Sequence, residues 1–233
     1  GYTRPGAVVI NFHGGPEAEE RPSFNALYQA LLARGIAVFA PNIRGSSGFG
    51  KSYENLDDGA LREKSLRDIR SCVDYLLKEE IAHSSRIGIM GASYGGYMTL
   101  VGLTRYYEDF SAGVVCSGFS DFETFFAKTE AWIAQISKKK YGDPQKDASL
   151  LHQLSPLYAL DILKAPLLIF HGENDTNVPV VEAEQVVEKL LGSEKDFEYF
   201  LFEGEGHDFF CLRTRASLNN KVVAFFDEHL SGE

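Results

Sequence analysis

Arg86-Ile87-Gly88-Ile89-Met90-Gly91-Ala92-Ser93-Tyr94-Gly95-Gly96-Tyr97-Met98-Thr99-Leu100-Val101 is the stretch that decides how this chain folds. The apolar run Arg86–Met90 reads as a strand, and 96–101 reads as the start of a helix. Between them a serine sits in Gly-x-Ser-x-Gly. Glycine on either side permits a turn too tight for a side chain before or after the serine. Such a turn lifts Ser93 Oγ clear of the sheet and presents it to a substrate.

Outward from this turn the sequence alternates strand and helix. Runs rich in β-formers occupy Ala7–Phe12, Ile36–Ala40, Arg86–Met90, Ala112–Cys116, Pro166–Phe170 and Phe197–Phe202. They are mostly apolar throughout, as in parallel strands covered on both faces. Helical stripes lie between them: Leu66, Ile69, Val73, Leu76 and Leu77; Val186, Val187, Leu190 and Leu191; Leu218, Val222, Phe225, Phe226 and His229. This order predicts an α/β fold with a doubly wound, mostly parallel sheet and helices on both faces. The interval 117–165 is longer than one crossover helix needs and holds Phe119, Phe122, Phe125, Phe126, Trp132 and Tyr141. A helical insertion over 118–165 could shape a pocket above the strand ends or simply cover the sheet. The Lys138-Lys139-Lys140 run is expected on a solvated helix face.

Composition limits the rest. Across 233 residues the net charge is −10, which argues against nucleic acid and anionic membrane surfaces as partners. Three cysteines form neither a disulfide framework nor a Cys-x-x-Cys metal pair. Cys72 and Cys116 read as small core residues, and a reducing, cytoplasmic compartment is expected. Nothing implies a metal or an organic cofactor, and a homo-oligomer remains open.

A serine hydroxyl needs a positioned base. Six histidines are present: His13, His83, His152, His171, His207 and His229. His207 stands in Gly204-Glu205-Gly206-His207-Asp208, a loosened loop after the last strand, where a base can reach Ser93. His229 lies on a helix stripe and His83 in a polar turn; His152 falls in the insertion. The imidazole in turn needs a carboxylate. Asp175 and Glu173 both follow the strand Pro166–Phe170, and Asp175, deeper in that loop, is the better placed. Asp208 adjoins His207 and should diverge from it. The order Ser93, Asp175, His207 is that of α/β-hydrolases. Oxyanion donors are expected from the Tyr94 N–H and from the loop His13-Gly14-Gly15-Pro16. Pro16 has no N–H, so Gly14 or Gly15 donates there, with Gly15 preferred.

These residues resemble the catalytic domain of the prolyl-oligopeptidase family of serine peptidases, nearest its acylaminoacyl-peptidase branch. The matching motifs are His13-Gly14-Gly15-Pro16, Pro41-Asn42-Ile43-Arg44-Gly45-Ser46-Ser47-Gly48-Phe49-Gly50, Gly91-Ala92-Ser93-Tyr94-Gly95-Gly96-Tyr97, Ser155-Pro156, His171-Gly172-Glu173-Asn174-Asp175 with Val178-Pro179, and Gly204-Glu205-Gly206-His207. The resemblance implies an α/β-hydrolase fold, Ser93 as nucleophile, Asp175 as acid, His207 as base, and the N–H groups of Gly15 and Tyr94 as the oxyanion hole. The family's longer members carry an N-terminal β-propeller, and no propeller repeat is present in 1–233, so a single catalytic domain is expected, either a trimmed domain or a compact stand-alone hydrolase. Gly59–Lys64 and Leu151–Leu154 depart from the family pattern. The expected activity is that of a serine peptidase on short or N-acylated peptides. A carboxylesterase acting on small esters would use the same residues, and an inactive binding protein on this fold would lack one of them.

Overall fold

The computed structural model describes residues 1–231; the last two positions of the expected 1–233 domain lie outside the described residues. Six strands, β1 (Gly6–Phe12), β2 (Ile36–Phe39), β3 (Ala82–Ala92), β4 (Ala112–Cys116), β5 (Leu167–Gly172) and β6 (Phe197–Phe202), form one sheet in the order β2-β1-β3-β4-β5-β6. Every neighbouring pair is parallel. The strand alternation follows the sequence, with shifted ends. β2 stops at Phe39 rather than Ala40, and β5 starts at Leu167 because Pro166 has no N–H for the ladder. β3 is the long strand, extending at both ends beyond Arg86–Met90.

Period-two geometry splits each strand between two cores. Val8, Ile10 and Phe12 of β1 join Ile87 and Ile89 of β3 on one face. Ala7 and Val9 join Met90, Leu168 and Phe170 on the other. The first face is covered by α3 (Arg62–Lys78) and α4 (Tyr94–Arg105), whose Leu66, Ile69, Val73 and Leu100 are buried there. The second is covered by α1 (Ala26–Ala33) and α9 (Leu212–Leu230) through Leu31, Val222 and Phe226. α1 is capped by Asn25, whose side chain accepts the N–H groups of Leu27 and Tyr28, and the one-turn α2 (Lys51–Glu54) follows β2. α8 (Val181–Leu190) buries Val186 and Leu190, but Leu191 falls past its end and is exposed.

Three helices fill the 118–165 insertion: α5 (Phe122–Lys128), α6 (Ala131–Tyr141) and α7 (Ala148–Leu154). Phe119, Phe122, Phe125 and Tyr141 pack with Tyr97 of α4, with the Tyr97 and Phe119 rings stacked at 4.7 Å. Glu182 of α8 is buried beneath them. It accepts the N–H groups of Ser120 and Asp121 at 2.9 and 3.0 Å and the Thr124 hydroxyl at 2.5 Å. The lysine run departs from expectation. Lys138 pairs with Asp143 near the surface, whereas Lys140 is buried and paired with Asp57 and Asp58. Ser137, Lys140 and Tyr141 share the buried face of α6, so one lysine of the three falls inward.

Because β1 lies between β2 and β3, the chain leaves β1 toward one edge and returns on its other side. The loops after β1 and β3 therefore diverge at their C-terminal ends, and the crevice of an open α/β sheet forms there. In this crevice Ser93 adopts φ 56° and ψ −120°, a left-handed conformation that non-glycine residues rarely take. A side chain at Gly91 would collide with the Gly95 backbone, and one at Gly95 with the Phe12 carbonyl. Gly95→Ala should lower stability by about 2 kcal/mol or more, because its obstacle is backbone rather than a movable side chain. Equilibrium urea unfolding reads this directly, and an unchanged midpoint would show that the turn relaxes freely.

Candidate active site

Each candidate residue stands at the C-terminal end of a parallel strand. Ser93 follows β3 and is tethered by its N–H to the Cys116 carbonyl at the end of β4, at 2.9 Å. Asp175 follows β5, and its N–H bonds the Gly172 carbonyl. His207 follows β6 in a loop tied back to β5, where Asn174 N–H meets the Glu205 carbonyl at 2.8 Å.

The structure joins Asp175 and His207 directly, with 2.7 Å between Asp175 Oδ2 and His207 Nδ1. The Asp175 side chain is fully buried. Its Oδ1 accepts the N–H groups of Asn177 and Val178, both at 2.9 Å. His171, also buried, donates Nε2–H to the Val178 carbonyl at 2.8 Å and lies 3.5 Å from Asp175 Oδ2. Burial alone would raise the Asp175 carboxyl, but the His171 ring 3.5 Å away and the hydrogen bonds from His207 and the Val178 N–H hold it well below the usual carboxylate range. A charged Asp175 requires the proton on His207 Nδ1 and leaves Nε2 free to accept one. Glu173, the rival carboxylate, accepts the Gly204 N–H at 3.0 Å instead.

Ser93, His207 and Gly15 line one cavity of about 190 Å³. No hydrogen bond joins the Ser93 hydroxyl to His207; such bonds are often loose before substrate binds and tighten in the complex. Phe119, Phe125, Trp132, Ile133 and Ile136 supply the apolar wall of this cavity. The insertion therefore packs on α4 and α8 and shapes the pocket. The Tyr94 side chain points away and is buried, which leaves only its main chain beside Ser93. Gly15, at φ 119°, has no room for a Cβ against the backbone of Glu17 and Ala18.

The other histidines lie elsewhere. His13 bonds the Ser46 hydroxyl at 2.8 Å and so ties the Gly14-Gly15 loop to the turn at 44–50. His83 is exposed, and His229 packs edge-on against Phe225. His152 stacks on Tyr158 at 3.9 Å and lines a separate cavity of about 430 Å³ with Asp121, Phe126 and Leu151. Arg62 is a neighbour of the site that sequence reasoning missed. It is fully buried and donates to the Tyr94 hydroxyl at 2.6 Å. Its one sequence signal was the departure of Gly59–Lys64 from the family pattern.

Since the folded Asp175 carboxyl titrates below the unfolded one, its contribution to stability is complete above about pH 5 and is lost as pH falls through the folded value. Urea midpoints measured from about pH 5 down to pH 2 should fall more steeply for the native chain than for Asp175→Asn. Parallel slopes would contradict the depressed carboxyl.

Comparison with known proteins agrees with this geometry. The chain is 35% identical over 233 residues to dipeptidyl aminopeptidase BIII of Pseudoxanthomonas mexicana, covering 98% of this chain and 34% of the relative. A puromycin-hydrolyzing peptidase of Mycobacterium tuberculosis superposes with a TM-score of 0.92 at 27% identity, over 100% of this chain and 35% of that one. An acylaminoacyl peptidase of Pyrococcus horikoshii superposes with a TM-score of 0.90 at 26% identity, over 99% and 38%. The chain thus spans about a third of the length of these relatives. Among the described residues no helix is long and apolar enough to cross a membrane. The family model named prolyl oligopeptidase family matches residues 22–233, and the chain belongs to that family.

Proposed function

We propose that this chain is a serine hydrolase acting as a peptidase on short or N-acylated peptides. The observation that carries the proposal is the buried, ionised Asp175 bonded to His207 in the cavity that Ser93 enters from a strained turn. Ser93 Oγ attacks the scissile carbonyl while His207 Nε2 takes its proton. The oxyanion that forms is met by the N–H groups of Tyr94 and Gly15. Collapse expels the amine, which receives the proton from His207, and leaves an acyl group on Ser93. Water, deprotonated by the same imidazole, then releases the acid and restores the hydroxyl. Asp175 holds the ring's tautomer and stabilises the imidazolium throughout.

The peptidase names of its relatives support amide rather than ester cleavage. The aromatic and aliphatic wall of the cavity supports an apolar side chain on the acyl side of the bond. Cys72, Cys116 and Cys211 are all free and Cys211 is exposed, which suits a cytoplasmic setting.

Ser93→Ala should abolish turnover and leave the unfolding midpoint close to that of the native chain. An N-acyl-phenylalanyl anilide should be cleaved at least about tenfold faster than its aspartyl counterpart, as burial of a large apolar side chain predicts. Ester turnover without any anilide turnover would contradict the peptidase assignment.

A further inference from the structure

A second set of buried ions lies outside the lining of the Ser93 cavity, behind Tyr94. Asp57, in a short 3-10 turn, and Arg62, at the start of α3, are fully buried and pair at 3.0 Å. Lys140 of α6 adds its ammonium at 2.9 Å from Asp57 and 2.8 Å from Asp58. Arg62 also donates to the Lys140 carbonyl at 3.0 Å. Buried ion clusters are weak sources of stability, since apolar residues of the same volume commonly serve as well. What distinguishes this one is the set of segments that it holds.

Three routes lead from it. Arg62 Nη1 donates to the Tyr94 hydroxyl at 2.6 Å, and the guanidinium lies 5.1 Å from the Tyr94 ring centre and 4.6 Å from that of Tyr141. Lys140 Nζ reaches Glu17 Oε1 at 3.5 Å, two residues after Gly15. The Asp57 carboxylate occupies the space that a side chain at Gly45 would need, and the Gly45 turn presents Ser46. The Ser46 hydroxyl donates to His13 Nε2 at 2.8 Å, and His13 Nδ1–H donates to the Gly14 carbonyl at 2.7 Å. One route ends at Tyr94 and two at the Gly14-Gly15 loop, the segments that carry the two oxyanion donors.

We infer that the Arg62–Asp57–Lys140 cluster is a positioning device that fixes the spacing of the Tyr94 and Gly15 N–H groups, an inference that rests on the serine-hydrolase assignment. Donors held in place before charge develops stabilise an oxyanion more than donors that must reorient. Charge-assisted hydrogen bonds within a buried cluster supply that rigidity. The three ions act through Tyr94 and Gly15 and line no part of the cavity that holds Ser93.

The test compares Tyr94→Phe, Arg62→Met and the double variant with the native chain. Tyr94→Phe keeps the ring and removes the hydroxyl that accepts from Arg62. It should lower kcat about tenfold with KM within about twofold, and weaken a peptide aldehyde, which forms the tetrahedral adduct, by the same factor as kcat. The double variant should lose no more than the larger single loss. A role in packing alone would lower the unfolding midpoint and leave kcat per folded molecule unchanged, which would overturn the inference. Should Arg62→Met fail to fold, Tyr94→Phe still decides. Phosphonofluoridate labelling of native Ser93 separates the two failures. No adduct sinks the hydrolase assignment, whereas an adduct together with an unaltered kcat in Tyr94→Phe sinks this inference alone.

Discussion

The architecture of the site depends on one steric constraint, the turn at Ser93. A serine at φ 56° persists only if its surroundings over-determine it. Here the elements on either side of the turn leave it no room. Gly91 and Gly95 bring β3 against α4, and the missing side chain at Gly95 lets α4 lie on the Phe12 carbonyl. The loop after β1 is thereby placed beside Ser93, and Gly15 lines the same cavity. Gly96 is pressed in turn against Gly118, so the same helix start also sets where the insertion begins. The cavity, the Gly14-Gly15 loop and the Ser93 hydroxyl are thus positioned by one close approach of main chain to main chain.

The rest of the site is electrostatic. Asp175 is buried yet ionised because its two oxygens are met by His207 and two N–H groups, with His171 close by. The same contacts that hold the loop after β5 thus also fix the imidazole tautomer. Beneath Tyr94, a second set of buried ions binds residues that approach one another from three parts of the chain.

Much of this was legible in the sequence. The six strands were readable because both faces of a central parallel strand are apolar, and all six appear within a few residues of their expected ends. Ser93, Asp175 and His207 could be named because a parallel sheet puts the loops after its strands on one edge, so chain order alone locates them. The choice of Asp175 over Glu173 rested on depth in the loop; His207 bonds Asp175, and Glu173 accepts the Gly204 N–H. Long-range pairing of charges was not legible. Arg62 and Lys140 are 78 positions apart, and Lys140 and Asp57 are 83 apart. No periodicity reports such contacts, and a lysine in a run of three reads as solvated until its helix face is known. Leu191 failed for the opposite reason: it continues an apolar stripe, but the helix ends one residue before it.

The central claim is that Ser93 carries the acyl group between two half-reactions. Acid quenching during turnover of an acyl-aminoacyl substrate, followed by peptide mapping, tests it most directly. The account predicts the acyl mass on the peptide containing Ser93 and on no other. Turnover at full rate with the acyl group on a different residue, or with none on Ser93 under conditions where deacylation is slowed, would contradict it.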